Sequence, residues 1–237
     1  MCDQDNDRKT RSKQKNCYDF KKMYMKSNYD GLLFDMDGVL VDVTKSYRKA
    51  IQQTASYFLN RVVSMREVSK IKQRVGMNND WDATYKLINN STISYEDVKK
   101  VFQSIYWGEG SIRGLINKET LLISKEQLIK LKTTYKKLGI VTGRPKLEAQ
   151  FVMERFNLGE IFDILIAKED AKREKPFPDP IIRAIDLLKL KNTVYIGDSP
   201  SDVVAATAAK IPCIYVGKQN MGTIRFEEIS QVINYLL

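Results

Sequence analysis

Two carboxylates stand two residues apart at Asp35 and Asp37, directly after the apolar run Gly31 to Phe34. That run reads as a buried strand. A pair spaced i, i+2 leaves the strand end with its backbones side by side. Gly38 follows, and its missing Cβ permits a sharp turn. One carboxylate of such a pair can attack an electrophile while the other gives and takes a proton. A hard cation between them would neutralise the crowding and select oxygen-rich substrates such as phosphates. Taken alone, the run is equally an acidic turn after a strand, and Asp37-Gly38 equally a hairpin turn.

Three later stretches decide between these readings. A hydrophobic strand Leu138-Gly139-Ile140-Val141 ends in Thr142-Gly143. Lys175 precedes the proline-rich turn Pro176-Phe177-Pro178-Asp179-Pro180, and a strand ends in Gly197-Asp198-Ser199-Pro200-Ser201-Asp202. With Asp35 to Leu40 these four runs, in this order, resemble the motifs of the haloacid dehalogenase superfamily of phosphotransferases. The resemblance covers residues 29 to 217 and points to subfamily I, with a small helical cap.

Composition narrows the chemistry independently. The 237-residue chain has no histidine, which excludes Ser-His-Asp and Cys-His machines and any His-ligated metal site. Cys2, Cys17 and Cys213 form no C-x-x-C, which fits a reducing compartment and no zinc site or disulfide framework. No apolar run approaches membrane-spanning length and no signal-peptide core is read at the N-terminus, so a cytoplasmic location and no membrane partner are expected. The net charge is +10. Residues 1 to 30 carry eight basic and five acidic side chains, and residues 1–28 read as a basic, disordered extension. Nucleic acid is not expected as a partner; the basic balance reads first as a solvated lysine-rich surface.

The elements that must position the motifs follow from periodicity. Residues 44–112 read as four short helices: one carrying Tyr47, Ile51, Ala55 and Phe58, a second behind the capping box Ser64/Glu67, a third with Trp81, Tyr85 and Ile88 behind Asp80 as a cap, and a fourth opened by Ser94. Beyond them strand and helix alternate: a helix capped by Ser124 and Gln127, strands near Phe162 to Ala167, Thr193 to Ile196 and Pro212 to Val216, and a helix with Asp179 as cap and Pro180 in its first position. Alternation predicts an α/β, doubly wound, Rossmann-like parallel sheet whose site lies at the carboxyl ends of the strands. The expected division is a catalytic core of 29–43 and 113–237 with the all-α cap 44–112 inserted.

The resemblance implies the roles. Asp35 is the nucleophile that becomes an aspartyl-phosphate, and Asp37 the general acid and base. Mg²⁺ is the implied cofactor, on the Asp35 side chain, the Asp37 backbone carbonyl and Asp198, with Asp202 holding a metal-bound water or orienting Lys175. Thr142 and Gly143 contact the phosphoryl group, and Lys175 offsets its charge. The second carboxylate, Asp37, sets the chain apart from dehalogenases and phosphonatases. The implied activity is therefore hydrolysis of a small phosphorylated metabolite; the alternatives are a sugar phosphomutase, or a regulatory or nucleic-acid-binding protein on an inactive phosphatase fold. Thr142-Gly143-Arg144 departs from the family's frequent Thr-Asn, and Arg144 reads as either a substrate contact or an exposed loop arginine. Arg48 reads as a clamp for a second anionic group or a partner of a neighbouring acid. Ser46 to Arg48 and Asn78 to Asp82 resemble a small clade, some members of which are joined to histidine-biosynthesis enzymes. Trp81 reads as helix core. The sequence is silent on oligomeric state.

Overall fold

Strand β1 (Gly31–Phe34) is apolar on both sides because helices cover both faces of the sheet that it centres. The computed structural model describes residues 29–77 and 79–237. The basic extension expected over residues 1–28, and Asn78, lie outside the described residues.

Among the described residues, β1 joins β6 (Leu138–Val141), β7 (Ile164–Ile166), β8 (Thr193–Gly197), β9 (Cys213–Val216) and β10 (Ile224–Phe226) in a six-stranded sheet ordered β10-β9-β8-β1-β6-β7. Every pairing is parallel, with Phe34 opposite Ile140 on one side and Ile196 on the other. The side chains alternate. Leu32 and Phe34 pack with Ile140, Val194 and Ile196 in the larger core, and Leu33 packs with Val141 and Tyr195 in the smaller. Helices α5 (Lys125–Tyr135), α6 (Lys146–Arg155) and α9 (Ile229–Leu236) bury residues in the larger core, α7 (Asp179–Leu188) and α8 (Pro200–Ala208) in the smaller. The chain departs from β1 to opposite sides through β6 and β8. That arrangement opens a crevice at the carboxyl end of β1.

The helical stretch contains α1 (Tyr47–Leu59), α2 (Met65–Lys72), α3 (Asp80–Ile88) and α4 (Tyr95–Trp107), with α1 packed on the other three. It leaves β2 (Val41–Asp42) and returns through the hairpin β3 (Gly108–Glu109) and β4 (Ile112–Arg113) to β5 (Thr120–Leu121), which pairs antiparallel with β2. The two linkers to the helical insert are thus hydrogen-bonded to each other.

The capping boxes at Ser64/Glu67 and Ser124/Gln127 form as expected, and the Ser94 hydroxyl accepts the Asp97 N–H. Two caps are shifted. Asn79, not Asp80, caps α3, because its amide oxygen accepts the N–H groups of Trp81 and Asp82; Asp80 instead pairs with Lys72 at 2.7 Å. Asp179 is the first residue of α7 and is held by Arg173. The closing unit of β10 and α9 lies beyond the last element that the sequence pattern predicts, the strand ending at Val216.

Candidate active site

Asp35 leaves β1 with its N–H still bound to Ile196 O at 2.8 Å, so the sheet itself fixes its backbone. The chain then folds tightly: Leu40 and Val41 both donate to Met36 O, and Gly38 donates to Val41 O. Gly38 takes φ +76°, and a Cβ there would stand 2.0 Å from Asp198 Oδ2. Gly38→Ala must therefore both adopt an unfavourable backbone and displace Asp198. It is expected to lower stability by more than about 1 kcal/mol and to weaken divalent-cation binding, measured by calorimetric titration. Unchanged cation binding would show that the Asp198 position does not depend on this glycine.

Thr142 and Asp198 follow β6 and β8, the strands flanking β1, so the three strand ends converge. Lys175 comes from the turn before α7. Its Nζ donates to Asp35 Oδ1 at 2.9 Å, Asp202 Oδ1 at 2.6 Å and Tyr195 Oη at 2.8 Å. Asp202 is fully buried and is further held by the Ser199 N–H and hydroxyl on Oδ2. Burial by itself would lower the pKa of Lys175, but Asp202 and Asp35 hold it above its ordinary value. Burial raises Asp35, with Lys175 opposing and the carboxylates of Asp202, Asp37 and Asp198 adding to the rise. Burial, and next Asp202, push Asp198 up to about 7, while Arg48 and Lys72 oppose.

That crowding has a physical consequence. One oxygen each from Asp35, Asp198 and Asp202 lie within 4.8 Å of one another, a hard, anionic donor set that a divalent cation would relieve. The donor chemistry fits the metal that the sequence implies, and Asp202, already committed to Lys175 and Ser199, supports the set from behind.

The residues expected at the site are brought together. Asp35, Asp37, Arg48, Gly143, Arg144, Lys175 and Asp198 line one cavity of about 330 Å³, with Thr142 and Asp202 buried behind its wall. Thr142 Oγ1 accepts the Arg144 N–H at 3.2 Å.

Arg144 is a correction. It is not an exposed loop residue: only 2% of it is accessible. Its Nε donates to Asp37 Oδ1 at 2.7 Å, and its Nη1 to Glu119 Oε2 at 3.0 Å and Tyr106 Oη at 3.1 Å. Its guanidinium lies 4.7 Å from the centre of the Tyr47 ring. Glu119, fully buried, also accepts from the Ser46 hydroxyl at 2.7 Å. Beside this cluster the Tyr47 hydroxyl donates to Glu148, which also accepts from Gln103. Burial raises both Glu119 and Glu148; Arg144 opposes the first and the Tyr47 hydroxyl the second. Glu119, Tyr106, Glu148 and Tyr195 carry no motif, and only their burial reveals them. Tyr47, read as helix core, is in addition a wall of the cavity.

The far side of the cavity belongs largely to the insert. Arg48 and Lys72 face inward from α1 and α2, and Trp81 lines the wall from α3. Trp81 is therefore more than helix core, with Lys168 Nζ 5.1 Å and Lys99 Nζ 4.6 Å from its ring centre. The Arg48 guanidinium makes no direct hydrogen bond or ion pair among the described residues, although its charge acts on the nearby carboxylates of Asp198 and Asp80.

The parallel α/β sheet thus carries an acidic cluster and a buried lysine at the carboxyl end of β1. The model of haloacid dehalogenase-like hydrolases matches residues 32–216, and the chain belongs to that family. It is 33% identical over 78% of its length to an imidazoleglycerol-phosphate dehydratase of Phytophthora nicotianae, spanning only 42% of that protein. A phosphorylated carbohydrates phosphatase of Thermotoga maritima is 27% identical, covering 78% of this chain and 84% of the relative. A phosphoglycolate phosphatase of Colwellia psychrerythraea is also 27% identical, over 77% and 82%. Among solved structures, that of CbbY from Rhodobacter sphaeroides in complex with phosphate superposes with a TM-score of 0.68 at 17% identity, over 86% of this chain and 96% of the other.

Proposed function

We propose that the chain is a phosphatase that cleaves phosphomonoesters of small metabolites through a phosphorylated Asp35. The observation that carries this is Lys175, which holds Asp35 by one oxygen and Asp202 behind it while Asp198 completes an acidic set of cation dimensions. Asp35 is thereby pointed, paired and shielded, as a nucleophile must be. Its carboxylate attacks phosphorus, and Asp37 protonates the departing oxygen and then takes a proton from the hydrolytic water. Thr142 and the Gly143 N–H are assigned to the phosphoryl oxygens, and Lys175 to their charge. Mg²⁺ on Asp35, Asp198 and the Asp37 carbonyl would supply further charge to the phosphoryl group when bound.

The helices of 44–112 are read as the cap that sets substrate choice. Substrates of the relatives, phosphoglycolate among them by name, support a small phosphorylated metabolite. No helix among the described residues is long and apolar enough to cross a membrane, and Cys213 is a free buried thiol; a cytoplasmic setting is part of the reading.

The test is phosphate release from p-nitrophenyl phosphate with Mg²⁺ and with the metal chelated, followed by a panel of metabolite esters. Turnover that needs Mg²⁺ is expected. Transfer to a sugar hydroxyl in place of water would instead identify a mutase. Within that panel Arg48→Ala has a distinct signature. Its guanidinium lines the cavity without a direct hydrogen bond of its own and suits a second anionic group, and a charge-assisted hydrogen bond is worth roughly 1.5–3 kcal/mol. The KM for phosphoglycolate should rise roughly 10-fold or more, with the KM for p-nitrophenyl phosphate little changed. Equal effects on both would make Arg48 structural.

A further inference from the structure

We propose that Arg144 is a positioning residue for the acid–base step: it holds one oxygen of Asp37 and so presents the other to the ester oxygen. The inference rests on the phosphatase reading. Both nearest nitrogens of the guanidinium converge on the same atom. Nε makes a directed hydrogen bond to Asp37 Oδ1 at 2.7 Å, and Nη2 lies 2.5 Å from that oxygen without hydrogen-bond geometry, so charge rather than a directed bond joins that pair. Among the described residues no hydrogen bond reaches Oδ2. Asp37 lines the cavity with its side chain 27% accessible, whereas the Arg144 side chain is 1% accessible.

The guanidinium cannot swing. Its plane is fixed at the far end by Glu119 and Tyr106 through Nη1, and the Tyr47 ring lies beside it. Glu119 in turn binds Ser46. Ser46 and Glu119 lie on the two linkers of the insert, and Tyr47 and Tyr106 on its helices α1 and α4. The general acid is thus registered to the insert and its hinges through one planar cation. A carboxylate held by one oxygen keeps a fixed direction for the other, which suits proton delivery to a single ester oxygen.

The two half-reactions use that direction in sequence. In the first, an Asp35 oxygen bonds to phosphorus as the P–O bond to the leaving group breaks, and the Asp37 proton passes to the departing oxygen. In the second, a water oxygen bonds to phosphorus as the Asp35 O–P bond breaks, and Asp37 takes the water proton. Ester and water become alcohol and phosphate, and Asp37 is restored.

The test separates positioning from packing by leaving group. In the full 237-residue chain, kcat/KM is measured with Mg²⁺ on an alkyl phosphate and on an activated aryl phosphate, for wild type, Arg144→Lys and Asp37→Asn. A lysine keeps the charge but cannot reproduce the planar fork. Arg144→Lys is expected to lower kcat/KM for the alkyl ester by roughly 10²-fold and for the aryl ester several-fold less, the same skew as Asp37→Asn, because a weakly basic phenolate leaves without a proton. Parallel losses on the two esters, or a loss confined to KM, overturn the proposal. Glu119→Gln, which loosens the far end of the guanidinium while keeping Asp37 in contact, provides the second reading should Arg144→Lys not fold. A skew of the same sense supports the proposal, and an unchanged ratio overturns it. A wild type inactive on both esters overturns the phosphatase reading and this inference together; an active wild type with parallel losses in the variants overturns the inference alone.

Discussion

Asp35→Asn is expected to abolish phosphate release, a loss on the order of 10⁴-fold or more, the scale on which removal of a nucleophile acts. The amide is a poor nucleophile, carries no charge for a cation, and still presents an oxygen to Lys175 Nζ, which now stands 2.9 Å from Asp35 Oδ1. Its fold should survive. Burial already disfavours the Asp35 charge, and Lys175 keeps Asp202 at 2.6 Å as its counterion. The expected pattern is a melting temperature close to wild type with turnover lost, and no phosphoenzyme in the intact mass after mixing with an activated aryl phosphate. Retention of most activity would remove Asp35 as the nucleophile. Lost activity accompanied by a collapsed melting temperature would assign it to the scaffold instead.

Lys175→Met should do the opposite and damage the fold as well as the chemistry. The Lys175 side chain is 2% exposed, and its ammonium stands between two buried carboxylates. Removing it leaves Asp35 and Asp202 facing each other without a cation. Breaking a buried pair by deleting one partner costs about 3–5 kcal/mol, since the charge that remains is uncompensated. For a chain of this size each kcal/mol lowers the melting temperature by about 2–4 °C, so a fall of roughly 6–20 °C is expected. Part of it should return with millimolar Mg²⁺, because Asp35, Asp198 and Asp202 offer oxygens within 4.8 Å and binding favours the folded chain. Scanning calorimetry with and without the ion reads both effects. A fall below about 2 °C would mean that the carboxylates find other counterions, and that the lysine serves the reaction without holding the site together.

Much of this site could be read from local runs of sequence. Asp35, Thr142 and Asp198 each end an apolar strand, and Lys175 sits before alternate prolines, so short stretches name their own positions. The capping serines at 64, 94 and 124 are equally local, because a cap and its third helical residue are neighbours in the chain. Asp80 and Asp179 each lie one position inside the helix that the sequence predicts them to cap. In both cases a salt bridge to Lys72 or Arg173 claims the carboxylate; Asn79 caps α3, while Pro178 precedes α7 without a side-chain cap. Parallel strands follow from alternation of β and α, but their order does not; that β1 lies between β6 and β8 is a property of the packed sheet.

Arg144 marks the boundary most clearly. As a residue type after a strand-ending Thr-Gly it is equally a loop arginine or a ligand for substrate. Its partners lie 107 residues away at Asp37, 38 away at Tyr106 and 25 away at Glu119. No spacing rule links such positions, and Glu119 has an unremarkable neighbourhood in a linker. The sequence by itself determined the fold class, the acidic pair, the lysine before the prolines and the strand ends that carry them, because each depends on residues adjacent in the chain. Only the tertiary structure decided which oxygen of Asp37 is held, by what, and how the helical insert is tied to it, because a buried charge chooses its partners from whatever the packed chain brings within 3 Å or so of it.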